Sequence, residues 1–197
     1  MKALVIVDMQ NDFVDGSLGS PEAQAIVPTI CENAVKLAQE SVANGDGPVL
    51  VLYTKDTHYE NYLETQEGKN LPVPHCIYMT PGWSIVKAIS STIDYNTDGL
   101  FAFWSDSEVK KSRILKNTFG SRDLTEILVS LKDQLDEIVF MGVCTDICVV
   151  SNVLTTKMML PETLITVDAS CCAGVTPAKH EAALETMRSC QINVIND

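Results

Sequence analysis

Four short runs of apolar residues constrain the fold of this chain more than any other feature: Ala3–Val7, Val49–Tyr53, Glu137–Met141 and Thr163–Val167. Each is too short for an ordinary helix. A strand with one wet face would alternate apolar and polar residues, and these runs do not, so they read as strands buried on both faces. Between them lie segments with apolar residues at helical spacing. Ala25–Ala43 ends at Asn44-Gly45, a plausible C-cap, Leu124–Gln134 is a second helix, and Asp146–Lys157 stops before Pro161. Pro177–Ser189 is a fourth helix, with Thr176 as N-cap and Pro177 at the first helical position. Strands alternating with helices predict an α/β protein of three layers, a Rossmann-like fold with a central parallel sheet and helices on both faces. Leu100–Trp104 or Gln191–Ile195 is a source of further strands. No repeat, linker or low-complexity stretch divides the 197 residues, which fit one domain, 1–197.

With 14 basic against 26 acidic residues the formal net charge is −12, which repels phosphate backbones and anionic lipid heads. Nucleic-acid and membrane-surface roles are therefore not expected. The N-terminal apolar run is broken by Asp8, and no later stretch approaches the ~18 apolar residues of a spanning helix. A cytoplasmic protein is expected. The seven cysteines follow no disulfide framework and read as thiols, most of them small buried hydrophobes.

In a doubly covered parallel sheet the working site lies beyond the carboxyl ends of the strands. Asp8 follows the first strand, Asp56 and His58 the second, and Gly142–Cys148 the third. Asp168 follows the fourth. A helix beginning near Asp146 puts Cys148 in its first turn, where the helix dipole and free N–H groups would favour a thiolate and could receive an oxyanion. Read alone, Cys148 is equally a packed core thiol, and Cys144 competes on the same loop with less help from the dipole. A carboxyl at a buried strand end has a raised pKa, suited to a general base that turns into a general acid, although Asp8 also fits an Asx-turn. The region Asp56–Trp83 lacks periodicity and contains Pro72, Pro74 and Pro81, marking an irregular insertion of functional character. Within it, Asp56, His58 and His75 combine the imidazole and carboxylate donors that suit zinc, manganese or iron.

These segments resemble the isochorismatase-like cysteine hydrolases, and among them the nicotinamidases. ALVIVDMQNDFVDGSL is similar to the family's opening and implies Asp8 as a catalytic residue. GVCTDICV resembles its nucleophile segment and implies Cys148. The family's catalytic lysine maps to Lys116 in ILKNTFGS, with Lys110 and Lys111 read as solvated charges. TKDTH and PHC resemble the metal segment and imply Asp56, His58 and His75 as ligands. Where many nicotinamidases carry a further histidine this chain has none, and Glu67 takes the place, with Glu64 as the alternative. The resemblance further implies a cis peptide at Val143–Cys144 beside the oxyanion site, Phe13 and Phe119 against the substrate ring, and a divalent metal, zinc before manganese or iron. It implies nicotinamide as the small-molecule substrate, a place in NAD salvage, and a homo-oligomer. A metal-independent amidohydrolase acting on another small amide or carbamoyl compound is the second reading. Isochorismate hydrolysis needs no thiol, so Cys148 argues against it, and a non-catalytic interaction module would have lost Asp8, Lys116 or Cys148. Asp168 is implied to be structural. Cys171 and Cys172 form a redox pair in one reading and unrelated thiols in the other, and His180 reads as a surface or packing residue.

Overall fold

The computed structural model describes residues 1–94, 99–103 and 112–197; Trp104, Lys110 and Lys111 lie outside them. The expected parallel sheet is present. Its strands are β1 (Lys2–Val7), β2 (Val49–Asp56), β3 (Phe101–Phe103), β4 (Arg113–Lys116), β5 (Glu137–Val143), β6 (Leu164–Ala173) and β7 (Asn193–Ile195). They run in the order β3-β2-β1-β5-β6-β7, every pair parallel. β3 pairs with Val49–Val51 and β4 with Tyr53–Asp56, so two short strands share one edge of β2. Both places read from sequence as further strands are occupied, and β4 adds one that its short, charged sequence concealed.

The strand period of two distributes the apolar runs to both faces. Ala3, Val5 and Val7 join one core cluster while Leu4 and Ile6 join the other. The first cluster is closed by α5 (Arg122–Ser130), α6 (Val150–Met159) and α7 (Pro177–Ser189), through Leu124, Leu128, Val153, Leu184 and Met187. The second is closed by α2 (Pro21–Ala43) and α4 (Lys87–Asp94), through Ile30, Ala34, Ile89 and Ile93. Two short helices, α1 (Asn11–Val14) and α3 (Gln66–Asn70), lie among the loops. The α2 start falls at Pro21, four residues before the expected boundary, because the Ser20 side chain caps the Ala23 N–H at 3.0 Å. α4 was not read from sequence. Among the described residues no helix is long and apolar enough to cross a membrane.

One strand boundary changes the reading of a residue. β6 continues to Ala173, so Asp168 lies inside the strand and does not follow it. Between the pairs Phe140↔Val167 and Gly142↔Cys172, β5 advances two residues and β6 five, which makes a bulge. There Asp168 accepts from Asn33 of α2 at 2.8 Å and from Ser170 at 2.7 Å, a structural role. Cys171 and Cys172 pack in different clusters and are free thiols.

The chain leaves β1 in one direction to build β2–β4 and returns on its other side to build β5–β7. The switch point therefore lies between β1 and β5, where crevices form in such sheets. Gly142 makes this junction close. Its φ is +126°, and a Cβ there would stand 2.2 Å from the Val7 carbonyl oxygen. Gly142→Ala is expected to destabilise the protein by about 3 kcal/mol or more, because the clash is with backbone that cannot turn away. Denaturant unfolding of the two proteins measures it.

Candidate active site

Three of the expected residues meet at the switch point. Asp8 directly follows β1 and has a φ of +50°. Thr54 donates to its Oδ1 at 2.7 Å. Lys116, the last residue of β4, reaches across β2 and brings its Nζ 2.6 Å from Asp8 Oδ2, 3.5 Å from Asp56 Oδ1 and 3.6 Å from Cys148 Sγ. Asp8, Lys116 and Cys148 are all buried. Burial pushes the Asp8 carboxyl's pKa up, while the Lys116 charge and the Thr54 hydroxyl pull it partly back; the net direction is upward. Burial pulls Lys116 down, but the Asp8 charge first, then those of a deprotonated Cys148 and of Asp56, overcome it and hold the ammonium charged.

Cys148 does not sit in the first turn of an ordinary helix. Thr145–Val149 is a wide π-type turn, and α6 begins only at Val150. The Val143–Cys144 peptide is cis, as expected, and the Cys144 carbonyl accepts from the N–H groups of both Ile147 and Val149 at 3.0 Å. The expected thiolate-favouring environment is a correction. Burial first, then the Asp8 carboxylate, push the Cys148 thiol well above its ordinary range, and Lys116 offsets only part of this. The helix terminus is outweighed because the sulfur is shut away from solvent beside a carboxylate. Cys144 is half-buried and is pushed up to about 12 by burial and Asp146.

The irregular insertion brings its donors together. Asp56, His58, Glu67 and His75 each offer one ligand atom, and these atoms lie within 4.8 Å of one another. His58 Nε2 is 2.9 Å and His75 Nε2 3.4 Å from Asp56 Oδ2, and both are 3.7 Å from Glu67 Oε1. His75 Nδ1 donates to the Val73 carbonyl at 2.8 Å, which fixes the ring with Nε2 facing the group. Burial raises the Asp56 pKa, but the bonds to His58 and His75 and the Lys116 charge win, holding it below the ordinary carboxylate range. Glu67 is pushed up by burial and by the Asp56 charge. Two carboxylates and two imidazoles converging in this way form a group able to hold a divalent cation. Glu64 is exposed in a short 3₁₀ turn, Tyr62–Glu64, and is not in the group.

Sequence reasoning missed what holds this group in place. The Gln10 side chain accepts from the Asp56 N–H at 2.7 Å and donates to the Asp56 carbonyl at 2.9 Å and to the Trp83 carbonyl at 3.0 Å. Asp12 accepts from the Cys76 N–H at 2.7 Å, beside His75, and its own N–H donates to the Gly82 carbonyl at 3.0 Å. The segment after β1 is thus the template on which the insertion is laid. Their place in the DMQNDF opening was the available signal, but nothing in that string names partners about 46 and 64 residues away.

A cavity of about 510 Å³ joins the two halves of the site, with Val143, Cys144 and Cys148 on one side and Asp56, Glu67 and His75 on the other. Phe13 and the half-exposed Phe119 also line it, and the Phe13 ring centroid lies 5.3 Å from that of His75.

A parallel sheet that gathers an acid, a lysine and a thiol at its switch point puts the chain among the three-layer α/β proteins whose site lies at the carboxyl edge. More narrowly, it belongs to the isochorismatase family, whose domain matches residues 2–196. It is 26% identical over 211 residues to the nicotinamidase/pyrazinamidase of Mycobacterium tuberculosis, covering 99% of this chain and 98% of the relative. The pyrazinamidase/nicotinamidase of Streptococcus mutans superposes with a TM-score of 0.75 at 26% identity, over 99% of this chain and 100% of that one. The fold is shared with the pyrazinamidase of Pyrococcus horikoshii, solved in complex with zinc, at a TM-score of 0.70 and 24% identity over 100% and 99% of the two chains.

Two outcomes are expected. Lys116→Met leaves the Asp8 carboxylate buried without its cation, so it should cost about 3–5 kcal/mol at pH 8. The loss should be smaller at pH 5, where Asp8 can take a proton, and urea unfolding at the two pH values reads the difference. Gln10→Ala should weaken the binding of added divalent metal by about 10- to 100-fold, measured by titration calorimetry, because the Asp56 backbone loses its clasp.

Proposed function

We propose that this chain, acting as one domain over residues 1–197, is a nicotinamidase that releases nicotinate and ammonia from nicotinamide. The observation that carries this reading is that one cavity is lined by Cys148 and by three members of the donor group, Asp56, Glu67 and His75. Asp8 takes the proton of Cys148, and the sulfur attacks the carboxamide carbon. The N–H groups of Cys144 and Cys148 receive the oxyanion. Lys116 stabilises the negative charge as it passes from Asp8 to sulfur. As the C–N bond breaks, Asp8 returns its proton to the departing ammonia, leaving a thioester on Cys148. Water then attacks the thioester carbon and gives a proton to Asp8; the C–S bond breaks, the acid leaves, and Asp8 returns that proton to the sulfur.

Asp56, His58, Glu67 and His75 would hold the metal, for which the mixed nitrogen and oxygen donors suit zinc first and manganese or iron next. A bound ion there supplies a Lewis acid for the pyridine nitrogen and so orients the ring. Phe13 and Phe119 offer it apolar faces. An amidohydrolase with no use for metal would leave the convergence of four donors beside the nucleophile without a purpose, and this weighs against the second reading.

Purified protein incubated with nicotinamide should release ammonia, Cys148→Ala should lose about 10⁴-fold or more, and chelator treatment should raise KM. Absence of ammonia from the wild type sinks the reading. Because Asp8 must be ionised to accept the thiol proton and burial raises its pKa, the rate should fall as pH drops through a value above the ordinary carboxylate range of about 4. A pH–rate profile locates that limb.

A further inference from the structure

The turn that carries Cys148 is held from outside by contacts that the reaction chemistry does not use. Thr145 is fully buried, and its hydroxyl lies 2.8 Å from Nδ1 of His180, 35 residues on and in the first turns of α7. The next residue, Asp146, accepts from the Val175 N–H through Oδ1 at 2.9 Å. Gly174 lets the two segments touch, since a Cβ there would stand 2.9 Å from both Asp146 Oδ1 and the backbone nitrogen of His180. Ala173, Gly174, Val175 and Lys179 of this same connection also line the cavity.

We propose that His180 is a positioning residue for the reaction. Through Thr145 it fixes the turn that presents the Cys148 sulfur and the N–H groups of Cys144 and Cys148. The inference rests on the assignment of Cys148 as nucleophile. A buried hydroxyl deprived of its partner is costly, so without the imidazole the Thr145 side chain must rotate to find another. A π-type turn is poorly fixed by its own backbone geometry. Because the Cys144 carbonyl binds both Ile147 and Val149, movement at Thr145 is passed to the residues on either side of Cys148. The bond does not depend on the state of the ring. A neutral imidazole accepts from the hydroxyl, and a protonated one donates to it. The contrary view is that His180 only fastens α7 to the rest of the protein, in which case its loss would lower stability and leave turnover per folded molecule unchanged.

His180→Ala, His180→Asn, Thr145→Val and the double variant His180→Ala/Thr145→Val separate the two. Asparagine returns an amide group near the place of Nδ1. For each protein kcat, KM for nicotinamide, the thermal midpoint and the rate of Cys148 alkylation by iodoacetamide (by mass spectrometry) are measured. His180→Ala is expected to lower kcat about tenfold or more, with KM within about twofold, since small misplacements of reacting groups cost this much. His180→Asn should recover most of the loss. The double variant should be no worse than the worse single one, and alkylation should slow in the same order. Wild-type kcat in His180→Ala overturns the proposal. So does equal loss in the Asn and Ala variants when both keep the wild-type thermal midpoint. Should His180→Ala fail to fold, Thr145→Val decides alone by the same two quantities. If the wild type does not hydrolyse nicotinamide the functional reading falls, while the alkylation rates still decide the role of His180.

Discussion

The buried ammonium of Lys116 is the interaction on which the site depends. It stands within 4 Å of Asp8, Asp56 and Cys148, which come from three different elements. Removing a charge from water costs several kcal/mol, and here two carboxylates offset that cost. The arrangement is demanding in return. Asp8 and Asp56 are themselves buried, and without the cation each would be a charge with too few partners. The short β4 places Lys116 at the carboxyl end of β2, beside Asp56, and only from there can it reach past that strand to Asp8. The same cation thus borders both the Cys148 thiol and the group able to hold a metal. Neither half can be shifted without disturbing the other.

The second constraint is the tie between the start of the chain and the insertion. A stretch without regular structure has no ladder to fix its donors, and the 56–83 region has only short helical turns and isolated bridges. Gln10 and Asp12 compensate. Gln10 treats the Asp56 backbone as a strand neighbour would, giving and receiving one bond, and Asp12 pins Cys76 beside His75. The chain therefore reaches its site rigidly through a loop, with the rigidity borrowed from the residues just beyond β1.

How far the sequence revealed this follows from the kind of physics involved. The continuous apolar runs disclosed the sheet, since burial on both faces leaves a local signature, and Thr176-Pro177 disclosed the start of α7. Asp56, His58 and His75 were legible because donor chemistry confines a metal group to few residue types, whereas Glu67 came from the family resemblance, with Glu64 as its alternative. β4 was not legible as a strand. Its sequence RILK has one buried apolar residue, Ile114, and its pairing is decided by β2. The partners of Gln10, Asp12 and His180 were hidden for a related reason. Each bond joins segments distant in sequence, and polar side chains that satisfy a distant backbone look like any other polar side chain. The π-type turn was concealed too, because TDICVV has an ordinary helical pattern and the partners of its polar residues, Val175 and His180, lie about 30 residues along the chain.

The raised pKa of the Cys148 thiol changes how the residue must work. A helix terminus alone would have favoured a resting thiolate, ready to react with any electrophile. Burial reverses this: it raises both Asp8 and Cys148, so the sulfur keeps its proton until a base beside it takes it. In the proposed cycle Asp8 is needed twice, first to uncover the sulfur and then to protonate the leaving nitrogen. Lys116 stays charged throughout, so the negative charge that moves between oxygen and sulfur always remains beside the same cation. In the proposed cycle this seclusion makes the Asp8 carboxylate, and not a resting thiolate, the group that decides when the sulfur reacts.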